Sequence, residues 1–117
     1  MLEEKAKDLG RLIGQSPEYQ ALKRSSEGLN ENRDAVALLQ QMEKLRGEAQ
    51  QLIQRGENPT PEMEQQLDGM LEKIQSQAAY QRAVSAQENF DKLMLRVNQW
   101  IMDGMKKGAA SPIITLA

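Results

Sequence analysis

The chain has 117 residues and a formal net charge of −2, and it contains neither cysteine nor histidine. Those absences remove disulfides, thiolate nucleophiles, imidazole bases and the usual zinc ligands, and the charge gives no general attraction for phosphates or anionic lipid. Its four aromatic residues, Tyr19, Tyr80, Phe90 and Trp100, leave Leu, Met, Ile, Val and Ala to fill the interior of one domain, which suits helices packed on helices better than a β-sandwich.

The first ten residues, MLEEKAKDLG, are charged and lack an apolar leader region, and no apolar run approaches the ~20 residues needed to cross a bilayer. A cytoplasmic protein without membrane insertion is expected. Leu2, Ala6, Leu9 and Ile13, with Leu12 beside them, make a first short helix stopped near Gly14. Ser16 then caps a second helix over about 17 to 29, with Pro17 at its first position and Glu18 at the positive end of its dipole. Its seam of Tyr19, Leu22, Ser26 and Leu29 has one polar member and reads as the weaker one.

Asn32 caps the next and most regular helix. Within residues 33 to 55, Ala35, Leu38, Met42, Leu45, Ala49 and Leu52 recur at alternating steps of three and four, with Leu39 and Ile53 widening the stripe. Burying such side chains gains roughly 1.5–3 kcal/mol each, whereas ordering the backbone costs about 1–2 kcal/mol per residue. The helix therefore needs a partner, expected to be the stretch Ala83 to Trp100. Gly56 to Pro61 is a turn, and Thr60-Pro61 repeats the Ser16-Pro17 start before a fourth helix with Met63, Leu67, Met70, Leu71 and Ile74 on one side.

The last apolar series is Ala83, Ala86, Phe90, Leu93, Val97 and Trp100, broadened by Met94 and Ile101. From Ile74 to Ala83 is about two and a half turns at 3.6 residues per turn, so a continuous helix would put the two stripes on opposite faces. A break at Ser76-Gln77-Ala78 resets the phase, with Ser76 as cap of the new helix. The final helix is expected to stop at Lys106-Lys107-Gly108. These boundaries give one helical domain over 1–107 and a tail over 108–117, whose Pro112 to Leu116 is expected either to dock on a partner or to stay mobile.

Chemistry-bearing patterns are sparse. Glu64, Asp68 and Glu72 stack three carboxylates on one ridge, but without a Glu-x-x-His motif a solvated face, or one opposite Arg82, Lys92 or Arg96, is favoured over a divalent-metal site. The serines have no imidazole partner, and the scattered glycines make no phosphate-cradling loop. Lys92, Arg96, Lys106 and Lys107 near Trp100 suggest a nucleic-acid patch, yet Glu88 and Asp91 lie among them and a Glu88–Lys92 salt pair is the stronger expectation. Met102 and Met105 near Trp100 read first as core or interface filler, with an adaptable partner surface as the sharper alternative.

Three groups of residues give the chain a resemblance to the YlbF/YmcA family of small bacterial helical proteins. They are Ser16-Pro17-Glu18-Tyr19-Gln20-Ala21-Leu22-Lys23, then Asp34-Ala35 with Leu39 and Met42, and finally Tyr80-x-x-Ala83 through Ala86-Gln87-Glu88-Asn89-Phe90 to Leu93-Met94 and Val97. The resemblance covers roughly residues 3 to 103. It implies an all-α protein that associates with itself through its long helices. It also implies a regulatory role as an accessory subunit in complexes linked to competence, sporulation, biofilm formation and RNA maturation through endoribonuclease Y. Some members carry a Cys-rich tail associated with an iron–sulfur cluster; with no Cys here, that ligation does not carry over.

The expectation is an antiparallel bundle of about five helices, the two longest forming the core and an oligomer interface through Leu38, Met42, Leu45, Leu52, Phe90, Leu93 and Val97. The function expected is that of a non-catalytic adaptor, a homodimer or higher oligomer with Trp100, Met102 and Met105 as partner surface. No catalytic residue, cofactor, metal or small-molecule substrate is assigned. The alternative is a direct RNA-binding module on the Lys92–Lys107 face, and a carboxylate metalloenzyme on Glu64, Asp68 and Glu72 ranks third.

Overall fold

The computed structural model describes residues 1–110. Five α-helices account for nearly all of them: α1 (Leu2–Gly14), α2 (Pro17–Glu31), α3 (Arg33–Gln54), α4 (Pro61–Gln75) and α5 (Ala78–Ala109). Among the described residues there is no strand, and the protein is all-α.

Local chemistry sets most of the boundaries. The Ser16 hydroxyl accepts from the Tyr19 N–H at 3.1 Å, the Asn32 side chain from Ala35 N–H at 3.0 Å, and the Thr60 hydroxyl from Met63 N–H at 3.2 Å, each satisfying an orphan donor of the first turn. Pro17 and Pro61 follow two of these caps, where a missing N–H costs nothing. At the end of α3, Gly56 takes φ = +81°, and the N–H groups of Gly56 and Glu57 reach back to the carbonyls of Ile53 and Leu52. That left-handed step is the one backbone position among the described residues that requires glycine.

The phase reset after α4 occurs at Ser76-Gln77, but Ser76 plays a different part from the one expected. Its hydroxyl donates to the Lys73 carbonyl at 2.7 Å and so finishes α4; Gln77 precedes α5 without any side-chain cap. The corner is instead braced from the far side, where Gln81 Nε2 donates to the Gln75 carbonyl at 2.7 Å. The α1–α2 corner uses the same device, Gln20 Nε2 donating to the Gly14 carbonyl at 2.9 Å. Helix α5 also runs two residues beyond the expected stop, through Gly108 to Ala109, because a helical glycine lacking a left-handed φ does not end a helix. The Pro112–Leu116 segment lies outside the described residues.

Packing overturns one pairing. Helix α3 packs principally on α4, and α5 principally on α2, so the two longest helices are not each other's main partners. The core lies where the ends of these pairs meet: Ala35, Met42 and Ile74 are buried, with Leu29, Leu38, Leu39, Met70, Leu71 and Tyr80 packed around them. The α3 stripe is buried as far as Leu45 and opens beyond it, leaving Ile53 exposed. The α2–α5 seam, expected to be the weaker, is the most extensive in the chain. Along part of that seam, small residues, Ala21 and Ser25 of α2 with Ala78, Ser85 and Ala86 of α5, line a common groove. Tyr19 meets Phe90 at a centroid separation of 5.7 Å and an interplanar angle of 58°, pinning the other end of the seam.

The result is open rather than bundled. The radius of gyration is 21.5 Å and the extents are 65 × 38 × 20 Å, whereas a compact chain of this length has a radius of gyration of about 13 Å. The accessible surface is 9406 Å² for 13.2 kDa, against about 6,400 Å² for a compact monomer of that mass.

Candidate interaction surfaces

The residues expected to form one interface divide into two groups. Met42 and Leu45 are buried and Leu38 and Leu52 half-buried on α3, turned toward α4; Val97 is buried and Phe90 and Leu93 half-buried on α5, on the side of α2. Folding has already covered much of both groups. The most exposed large apolar side chains lie elsewhere.

Helix α1 is amphipathic yet buries none of its residues, and α2 is its main neighbour. Leu2 and Leu12 are 87% and 65% exposed. On α5, every residue from Asn98 to Ala109 is exposed, although the apolar line of Ala86, Phe90, Leu93 and Val97 continues straight into Ile101 and Gly104. Trp100 and Met105 flank that line and are 61% and 66% exposed. Met102, expected to share their surface, is exposed on the far side of the helix with Leu95, about 140° from Val97 at 3.6 residues per turn. The exposure of Leu2 and Leu12 was not singled out from sequence: the periodicity of α1 was readable, but only the tertiary structure shows that Leu9 and Ile13 are half-covered while these two are not.

A second surface runs along the α2–α5 seam. Arg24, Arg82, Ser85 and Asn89 line a shallow groove of about 660 Å³, and it passes at Ala21 and Asn89 into a smaller recess of about 330 Å³ that holds Lys92, Arg96 and Glu18. The structure therefore joins Lys92 and Arg96 to Arg24 and Arg82, which sequence spacing did not bring together. Lys106 and Lys107 do not line it. The expected Glu88–Lys92 pair does not form: among the described residues the ion pairs are Lys7–Glu3 at 2.8 Å and Arg11–Asp8, both on α1. Asp91 instead accepts from Gln87 Nε2 at 2.9 Å.

Glu64, Asp68 and Glu72 are exposed along α4, and none of the three pairs with Arg82, Lys92 or Arg96. Among the described residues no three acidic side chains converge on a point where a metal could be held. Nor is any helix there long and apolar enough to cross a membrane.

The described residues form an all-helical chain whose apolar side chains are divided between a small core and exposed helix faces. The particular class is shown by sequence comparison: the family described as "Control of competence regulator ComK, YlbF/YmcA" matches residues 2–106, and the chain belongs to it. That is a regulatory family. Relatives include UPF0342 proteins of Streptococcus gordonii, 34% identical over 62% of this chain and 65% of the relative, and of Streptococcus mutans, 31% identical over 71% and 74%. A third, from Streptococcus sanguinis, is 28% identical over 84% of this chain and 88% of its own length. The chain thus spans just under two thirds of the S. gordonii protein and more of the other two.

Proposed function

We propose that this chain is a non-catalytic regulatory adaptor that works as a self-associated assembly and recruits a protein partner, in the manner of accessory factors of an endoribonuclease Y complex linked to competence, sporulation and biofilm control. One observation carries the reading: Leu2 and Leu12 of α1 and Trp100, Ile101 and Met105 of α5 are left exposed on a chain whose accessible surface is 9406 Å². A lone protomer would hold that apolar area in water, and patches of this kind mark association sites. Membership of the ComK-control family supports the regulatory part.

The test is purification of the tagged full chain from its native cell. Recovery of the endoribonuclease with it, lost on Trp100→Glu and Met105→Glu substitution, is the expected result. Recovery of this chain alone at native expression removes the adaptor role.

A second reading, direct RNA binding, is favoured by the groove in which Arg24, Arg82, Lys92 and Arg96 face a single acid, Glu18, and form no ion pair among the described residues. It predicts affinity for single-stranded RNA that falls steeply with salt and vanishes on charge reversal at Arg82 and Arg96. The groove has no aromatic side chain on which bases would stack, which ranks this reading second. A flat titration at low salt eliminates it.

A further inference from the structure

We infer that the groove along the α2–α5 seam is the docking site for an acidic segment of a partner protein, whose carboxylates meet Arg24, Arg82, Lys92 and Arg96. The inference rests on the adaptor reading and names the chemistry of its partner. The chain carries 15 basic and 17 acidic residues, so a representative stretch of its surface would set about four or five acids beside four cations. The groove and the recess that continues it set Glu18 alone beside them. All four cations are exposed, and none belongs to an ion pair among the described residues. Like charges gathered along one groove raise its positive potential, and an anionic ligand lowers it.

The helix pairing sets these groups in a line. On α5, Arg82, Ser85, Asn89, Lys92 and Arg96 recur at alternating steps of three and four, so they share one face beside the apolar line of Ala86, Phe90, Leu93 and Val97. From Arg82 to Arg96 that face is about 21 Å long at 1.5 Å per residue. Helix α2 supplies the other wall, with Arg24 and Ser25 in the groove, Glu18 in the recess and Ala21 in both. The groove reaches the first turn of α5 at Ala78. That turn has no side-chain cap and no acidic residue, so the helix dipole adds to the same sign of potential.

A groove of this length takes an acidic segment of about four helical turns with a carboxylate at every third or fourth position. The guanidinium groups of Arg24, Arg82 and Arg96 match carboxylate and phosphate alike. What decides between them is that no aromatic side chain lines the groove or the recess, whereas single-stranded RNA is held in large part by stacking of its bases. The small side chains of Ala21, Ala78 and Ala86 leave room beside the cations for the backbone and aliphatic carbons of a peptide.

The probe is a labelled alanine peptide of about four helical turns with glutamate at every third or fourth position, titrated against the full chain by fluorescence anisotropy. Binding is expected to weaken about tenfold or more on Arg82→Glu/Arg96→Glu and less than about twofold on Lys106→Glu/Lys107→Glu. The second pair makes the same change of charge outside the groove. All four positions are exposed, so circular dichroism is expected to show unchanged helical content in both variants. Binding that is absent from the natural chain, or that weakens equally with either pair, overturns the inference. So does an RNA oligonucleotide of similar length that binds the same groove more tightly than the peptide. Peptide affinity that rises on Glu64→Gln/Asp68→Asn/Glu72→Gln overturns it in favour of α4 of a second copy. Purification of the tagged chain from its native cell separates this inference from the adaptor reading. A partner recovered equally by the natural chain and by Arg82→Glu/Arg96→Glu leaves the adaptor standing and overturns the groove; a natural chain that recovers nothing removes both.

Discussion

At the scale of single residues, the helix boundaries follow from a few side-chain hydrogen bonds, and these were the most legible part of the chain. Ser16, Asn32 and Thr60 cap the helices that follow them because a short acceptor one residue before a helix needs no tertiary help to reach a free N–H. Ser76 is the exception, and the reason is competition: the same hydroxyl can turn back to a carbonyl of the preceding helix, and it does so. Gln77 is left as an uncapped N-terminal residue, and its side-chain carbonyl is buried with no hydrogen-bond partner. Gln77→Asp supplies the missing cap and removes that carbonyl; a gain of about 1 kcal/mol in urea denaturation is expected. At Gly56 the sign is reversed. With φ = +81°, Gly56→Ala forces a side chain into the left-handed region and is expected to cost about 1–2 kcal/mol by the same measurement.

At the scale of elements, an apolar stripe tells which face of a helix is buried but not against which helix. The Ala35-to-Leu52 stripe was read correctly as a packing face, and its first half holds the buried core residues Ala35, Met42 and Leu45. Its partner is α4 rather than α5, because the Gly56 turn folds α4 back at once while α5 is taken by α2. That second pairing was hidden from sequence for a physical reason: small residues such as Ala21, Ser25, Ala78 and Ala86, which border the two helices' common groove, raise no periodic signal. Ile74 is completely buried in the core where the helix pairs meet. Ile74→Ala is therefore expected to cost about 2–5 kcal/mol, enough to unfold much of a small core, whereas Leu95→Ala, on the exposed back of α5, is expected to change stability by about 0.5 kcal/mol or less. Thermal melts followed by circular dichroism separate the two.

At the scale of the whole molecule, the sequence predicted a bundle and the structure is an open arrangement 65 Å long. Periodicity is blind to this difference, since a helix face that meets a neighbour in the same chain and one that waits for a neighbour in another have the same spacing. The α5 line beyond Val97 is regular and exposed, and the α1 stripe is regular with Leu2 exposed and Leu9 and Ile13 half-buried. Met42 and Leu45, expected at an interface, are buried within the chain, whereas Leu2, Ile101 and Trp100 are exposed. The basic groove of Arg24, Arg82, Lys92 and Arg96 was half legible, because two of its cations come from a helix pairing that spacing alone does not reveal.

The most direct measurement is the mass of the full chain in solution by light scattering over a range from about one micromolar to several hundred. The account predicts a particle of at least twice 13.2 kDa across that range, and a shift toward the single-chain mass for Trp100→Glu or Ile101→Glu with helical content retained. A natural chain that stays at 13.2 kDa at every concentration would contradict it.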